Sequence, residues 1–221
     1  MRIVAVIPAR MASSRFPGKP MALIHGMPMI GHCFCRVRLC DALSETYVAT
    51  CDKEIFHYIE SIGGKAVMTA DTHERASDRA AEAMIRIEDA CGQKTDILVM
   101  VQGDEPLVKP EIVRLVLENF TDPEIQIVNV VYSSADQNAI NDPNNVKVVV
   151  DRSGDALYFS RAAIPAAWNS ESGFSALIQT GVIVFRREAL LGFDELDESD
   201  LERIESIDMN RVLEHGGRIR T

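Results

Sequence analysis

Most of what this chain lacks is informative. It has a single tryptophan and few aromatic residues, and no apolar run approaches the roughly 18 residues needed to span a bilayer, so a membrane-embedded protein is not expected. Its five cysteines (Cys33, Cys35, Cys40, Cys51, Cys91) are odd in number and form no CxxC pair. That argues against a zinc site and fits the reduced, mostly buried thiols of a cytoplasmic protein. The GxxxxGK[ST] spacing of a Walker A loop is absent. No internal repeat, low-complexity segment or clear linker interrupts the 221 residues, a length that suits one large α/β domain or one domain with a small subdomain. The N-terminus MRIVAVIPAR lacks the longer apolar segment and small-residue cleavage site of a signal peptide and reads as a first core strand. A net charge of -10 argues against a nucleic-acid binder, which would usually show a basic face.

Acid is also missing from Met1 to Cys40, where every charged side chain is basic: Arg2, Arg10, Arg15, Lys19, Arg36 and Arg38. Three of these lie in the stretch VAVIPARMASSRFPGKP, where an apolar run stops at Pro8 and a loop with Ser13, Ser14 and Gly18 follows. A strand that ends in small residues and fixed positive charges suits a polyphosphate. The competing explanation is a solvated basic loop.

What is present alternates regularly. Ile3–Ile7 is a continuous apolar run, as expected of a strand covered on both faces. Helical spacing predicts a helix from about Pro28 to Leu43. A strand at Thr46–Thr50 and a helix capped by Asp52 and ended by Gly63-Gly64 come next. Ala66–Met68 is a short strand, Ser77 is placed to cap a helix from Asp78 to Ala90, Asp96–Val101 is a buried strand, and Pro110 opens another helix. This alternation predicts a mainly parallel mixed sheet with helices on both faces and right-handed crossovers. Ligands of such sheets bind at the carboxyl ends of the strands, which is where Arg10, Arg15, Lys19, the 69–79 loop and Asp104 would lie. Beyond Ile125 the pattern changes. A strand at Ile125–Tyr132, a hairpin of Val146–Val150 with Ala156–Phe159, a loop at Trp168–Phe174, a strand at Gly181–Phe185 and one helix over Ser199–Glu214 are expected.

Chemistry is concentrated in three places. The cations of the first loop can neutralise triphosphate and the pyrophosphate that leaves it. Asp104, in VQGDEP directly after a buried strand, suits Mg²⁺, which takes one or two carboxylates plus phosphate oxygens; the alternative is that Asp104 and Glu105 only cap the following turn. The loop THERASDR (72–79) has the groups to contact a base and a ribose, although such a loop is also an ordinary helix lead-in.

PAR-x-x-S-x-R-x-PGKP, VQGDEP after the fourth strand, and NNVKVVVDRSGDALYFSRAAIP together resemble the CMP-sugar synthetases. LERIESIDMNRVLEHGGRI is similar to that family's LE-x-x-E-x-LEQLR helix, so the resemblance runs over essentially the whole chain. It implies a Rossmann-like nucleotide-diphospho-sugar transferase fold over residues 1–221 as a single domain. It also implies a homodimer, with second-half strands and the 199–214 helix contributing to dimerisation and to the sugar site. The implied reaction is attack of the anomeric hydroxyl of an acidic 2-keto sugar, Kdo or a related ulosonic acid, on the α-phosphate of CTP. Carried over by position, Arg10, Ser13, Arg15, Lys19, Ser77 and Arg79 bind CTP. Arg10, Lys19 and Asp104 are the catalytic set, Asp104 holds Mg²⁺, and Gln102, Gln179, Glu205 and Asp208 face the sugar. A second metal-binding aspartate would belong to a GVDTPEDL-like segment beyond Thr221.

The departures cluster. HERASDR replaces the family's HQSGTER. Gln179, Ile183 and Phe185 replace a histidine and two tyrosines of an H-x-G-x-Y-x-Y strand, and Asp208-Met209 stand where the helix carries Glu-Gln. Two alternatives therefore remain: a nucleotidyltransferase using another nucleotide, and a catalytically inactive homologue acting as a binding or regulatory subunit.

Overall fold

The computed structural model describes residues 1–12, 16–169 and 174–221. In chain order the elements are β1 (Ile3–Pro8), β2 (Leu23–Ile24), β3 (Met27–Pro28), α1 (Met29–Val37), β4 (Glu45–Thr50), α2 (Lys53–Ser61), β5 (Lys65–Met68), α3 (Ala76–Cys91), β6 (Ile97–Val101) and α4 (Pro110–Glu118). They continue with β7 (Ile127–Ser134), α5 (Gln137–Asn141), β8 (Lys147–Val150), β9 (Ala156–Ser160), β10 (Ala176–Arg186), α6 (Arg187–Asp194), α7 (Asp200–Glu205) and α8 (Met209–Glu214). These group into two compact units, Met1–Thr121 with Gly181–Asp194, and Asp122–Thr180 with Glu195–Thr221.

In the first unit the strand order is β5-β4-β1-β6, all parallel, with Val182–Arg186 of β10 closing the sheet antiparallel to β6. β1 and β6 are buried along their whole length, as their unbroken apolar runs require. From β1 the chain steps outward through β4 to β5, then returns across the sheet to β6. Right-handed crossovers therefore place α3 on the face opposite α1 and α2. α3 packs on β1 and on α6, while α1 packs on β1 and α4. The reversal makes the gap between the carboxyl ends of β1 and β6 a topological switch point, where strand-end loops part and leave room for a ligand.

One ion pair ties α3 to α6. Arg187 makes a two-pronged contact with Glu88, Nη2 to Oε2 at 2.9 Å and Nε to Oε1 at 3.0 Å, while the Thr95 amide donates to Oε1 at 2.8 Å. Burial pushes the Glu88 carboxyl up, but Arg187 and the Thr95 amide outweigh it and hold it below its ordinary 4.5.

In the second unit β8 and β9 form the expected antiparallel hairpin, β8 pairs antiparallel with Leu177–Ile178 of β10, and β7 also pairs with β10. Lys147 is fully buried, with its ammonium donating to the carbonyls of Asp142 (2.9 Å), Asn145 (2.5 Å) and Arg161 (2.7 Å). All three of its protons are thereby used, which compensates for the desolvation of the charge. The buried Glu202 and Arg211 form a bidentate pair at 2.7 Å that fastens α7 to α8.

Several boundaries differ from expectation. The helix predicted to Leu43 stops at Val37, because Leu39, Cys40 and Leu43 turn back onto carbonyls three residues earlier instead of four. Asp52 stands at the N-cap of α2 without capping it; its carboxylate instead accepts the Met11 amide at 2.8 Å. α3 begins at Ala76, so Ser77 lies inside the first turn, not at the cap. The single helix expected over 199–214 is two helices, broken at Ser206 (φ 54°), where the Arg161 guanidinium takes the carbonyls of Glu205 (2.6 Å) and Ser206 (3.2 Å).

Replacing Glu202 by Ala strands a buried guanidinium and is expected to cost about 3–5 kcal/mol in urea denaturation, whereas replacing both partners with apolar residues costs less. Because the Glu88 carboxyl is held below 4.5, its contribution is present above that pH and is lost as pH falls through the lowered value. The unfolding temperature of Arg187→Ala should therefore depend less on pH below about 4.5 than that of the unmodified protein, as read by differential scanning fluorimetry.

Candidate active site

Four loops leave the carboxyl ends of β1, β4, β5 and β6 in the first unit. From β1, Ala9 donates to the Ala49 carbonyl at 2.9 Å and Met11 to the Asp52 carboxylate, which ties the basic loop to the end of β4. Gly18 turns with φ 74°, and Lys19 opens a single 3₁₀ turn. The Lys19 ammonium reaches Asp104 of the β6 loop at 2.6 Å, with both side chains part-exposed. A cation and a carboxylate therefore meet across the gap between β1 and β6. Ser13 and Arg15, also assigned to this loop, lie outside the described residues.

The β6 loop is pressed onto the sheet. A Cβ on Gly103 would stand 2.9 Å from the Pro8 carbonyl oxygen, so only glycine permits this approach. The Cys33 thiol, pushed up to about 12 by burial, stays protonated and donates to the Gly103 carbonyl at 3.3 Å. Gln102 donates its amide to the Gly181 carbonyl at 2.8 Å, and the Gly181 amide donates to the Glu105 carboxylate at 2.8 Å. A Cβ on Gly181 would lie 2.8 Å from the Gln102 Cβ. Glu105 is thus a clamp on β10 that spacing did not reveal, and its action leaves Asp104 projecting from the turn.

The β5 loop is stitched to α3. Arg79 is 2 % exposed; its Nη1 donates to the Thr69 hydroxyl and, at 3.0 Å, to the Ala70 carbonyl. Its Nη2 is buried without a hydrogen-bond partner. Such an orphan donor, beside the loop that follows β5, is a position for an acceptor atom of a ligand. Ser77 is fully buried beside it on α3. Glu82, three residues after Arg79, accepts the Ala70 amide at 2.8 Å and meets His73 Nε2 at 2.5 Å, and Arg86 donates to it at 2.7 Å. Burial raises the Glu82 carboxyl, but the Ala70 amide, His73 and Arg86 together hold it below its ordinary value. Arg10 donates to the His73 carbonyl at 3.2 Å. The i,i+4 spacing of Glu82 and Arg86 is legible in the sequence; the link to Ala70 and His73 is not.

The first unit thus gathers Arg10, Lys19, Ser77, Arg79, Gln102 and Asp104 on strand-end loops and the helix that follows one of them. Gln179, Glu205 and Asp208 belong to the second unit. There the Gln179 amide donates to Asn129 at 2.5 Å, and Glu205 accepts from Tyr158 (2.9 Å), Ser160 (2.7 Å) and the Arg161 amide (2.9 Å). Both side chains are engaged inside their own unit. Asp208 stands at the N-cap of α8. Ile183 and Phe185 are fully buried and in register with Met100 and Leu98 of β6. Met209 is likewise fully buried.

Among the described residues no group of three or more His, Cys, Asp or Glu is placed to hold a metal ion. One part-exposed carboxylate, Asp104, at a phosphate-suited loop fits Mg²⁺ that arrives with phosphate oxygens rather than in a protein cage. No helix among the described residues is long and apolar enough to cross a membrane.

Sheet order, switch point and opposed charges define a nucleotide-binding transferase of the nucleotide-diphospho-sugar type. The chain belongs to the cytidylyltransferase family, whose sequence model matches residues 4–219. It is 41% identical over 220 residues to the 3-deoxy-manno-octulosonate cytidylyltransferase of Syntrophus aciditrophicus, covering 99% of this chain and 88% of that protein. The enzyme of the same name from Escherichia coli is 38% identical, over 100% of this chain and 87% of the relative. A solved structure of CMP:2-keto-3-deoxy-manno-octonic acid synthetase complexed with CTP matches with a TM-score of 0.90 at 37% identity, covering 100% of this chain and 89% of that one.

Gly181→Ala would drive a methyl group into Gln102 and Glu105, and such overpacking is expected to cost about 1–3 kcal/mol, measurable as a lowered denaturation midpoint.

Proposed function

We propose that this protein transfers a cytidylyl group from CTP to the anomeric hydroxyl of 3-deoxy-manno-octulosonate or a related ulosonic acid, releasing pyrophosphate. The observation that carries this is the meeting of Lys19 and Asp104 at 2.6 Å across the β1–β6 switch point, in a chain similar over its full length to enzymes of that name. Arg10 and Lys19, with Ser13 and Arg15 of the same loop, receive the triphosphate, and Arg10 stabilises charge as the transition state forms. The buried, unpartnered Nη2 of Arg79 offers a donor to an acceptor atom of the cytosine ring, with Ser77 beside it. Gln102 in the first unit, and separately Gln179, Glu205 and Asp208 in the second, are the residues assigned to the sugar.

The sugar oxygen bonds to the α-phosphorus as the bond to the β-phosphate bridge breaks, and the hydroxyl proton is released. The protein's share is positioning and neutralisation, not covalent chemistry. Bound at Asp104 with the triphosphate, Mg²⁺ supplies Lewis-acid charge neutralisation. The protein works as a homodimer, a reading supported by the exposed Leu157, Ile204 and Tyr132 of the second unit. Its place is the cytoplasm, supported by five free cysteines.

Pyrophosphate release with CTP, Mg²⁺ and a panel of ulosonic acids tests the proposal, and no release with any acceptor overturns it. Asp104→Asn should lower kcat by about 10²-fold or more while circular dichroism stays unchanged. An unaltered kcat removes Asp104 from the metal site. Lys19→Ala should raise the KM for CTP about tenfold, in keeping with the loss of one charge-assisted contact of roughly 1.5 kcal/mol or more.

A further inference from the structure

Glu82 touches none of the side chains assigned to the reaction, yet two residues of the β5 loop, Ala70 and His73, converge on it. The Ala70 peptide is gripped at both ends by α3. Its carbonyl accepts from Arg79 Nη1 at 3.0 Å, and its amide donates to Glu82 Oε2 at 2.8 Å. The same Oε2 meets His73 Nε2 at 2.5 Å, and Oε1 faces Arg86. An ionised carboxylate has only acceptors, so the His73 Nε2 that faces it carries a proton. With its side chain fixed, His73 presents its backbone carbonyl to Arg10 Nη1 at 3.2 Å. Glu82 has one part-buried side chain on a sixteen-residue helix, and α3 is anchored by packing on β1 and α6. It therefore offers a firm support to His73 and, through the His73 carbonyl, to the exposed Arg10.

We infer that Glu82 is a positioning residue that holds the Ala70–His73 segment against α3 and, through the His73 carbonyl, aims Arg10 into the nucleotide site. The inference rests on the assignment of Arg10 and the 69–79 loop to CTP. Glutamine here keeps its carbonyl oxygen on Ala70 and His73 and turns its NH₂ group to Arg86, so the clasp is opened instead by Glu82→Met, which removes both acceptors with side-chain volume nearly kept.

The test combines kinetics with hydrogen–deuterium exchange. Glu82→Met should lower kcat/KM for CTP about tenfold, in line with the 10–100-fold effects typical of residues that orient ligating groups. Its unfolding temperature should stay within a few degrees of the unmodified protein, and the peptide spanning Ala70 should exchange markedly faster. In an Arg10→Ala background the same substitution should cost at most about threefold, because the group it aims is gone; a merely structural role costs the same in both backgrounds. Equal penalties in the two backgrounds, or unchanged kinetics despite faster exchange, overturn the inference. If the unmodified protein neither binds CTP by calorimetry nor releases pyrophosphate, the reading of the site fails. Exchange at Ala70 in Glu82→Met then decides by itself whether the clasp exists, and unchanged exchange disproves it.

Discussion

The site depends on the reversal of chain direction across the sheet of the first unit. β1 lies between two parallel neighbours and is buried on both faces, as is β6. Side chains along such strands have no route to solvent, so charged groups enter only where the strands stop. The chain leaves β1 toward β4 but reaches β6 only after crossing back, which keeps the connections of these adjacent strands from covering the gap between their ends. Lys19 and Asp104 meet there, and Gly103 lets the β6 loop lie against the end of β1.

Around that gap, polar side chains support backbone more often than one another. Asp52 holds the Met11 amide, Glu105 the Gly181 amide, Arg79 the Ala70 carbonyl and Glu82 the Ala70 amide. Loops without regular hydrogen bonding are thereby given fixed partners, as buried backbone groups require. The second unit uses the same device, with Lys147 gathering three carbonyls and Arg161 two more where α7 ends. Preorganised loops of this kind suit a reaction in which the protein mainly places charge.

Positions that departed from the family pattern acquire a different meaning in three dimensions. Ile183, Phe185 and Met209 are fully buried and serve packing, so the loss of polar groups there strengthens a core. Gln179, by contrast, remains polar and is bonded to Asn129.

Much was legible from residue order alone. The unbroken apolar runs at Ile3–Ile7 and Ile97–Val101 marked buried parallel strands, Pro110 marked a helix start, and the cations after Pro8 with the carboxylate after Val101 marked the ends that carry chemistry. These features are local: periodicity, a missing amide proton and charge at a strand end act over a few residues. What only the tertiary structure decided involves partners far apart in the chain. Asp52 serves Met11 instead of its own helix, Arg161 divides the 199–214 segment, and Glu82 reaches back to Ala70 and His73. A short polar side chain chooses between a local cap and a remote donor only after the fold has set which is closer, and no pattern of neighbouring residues records that distance.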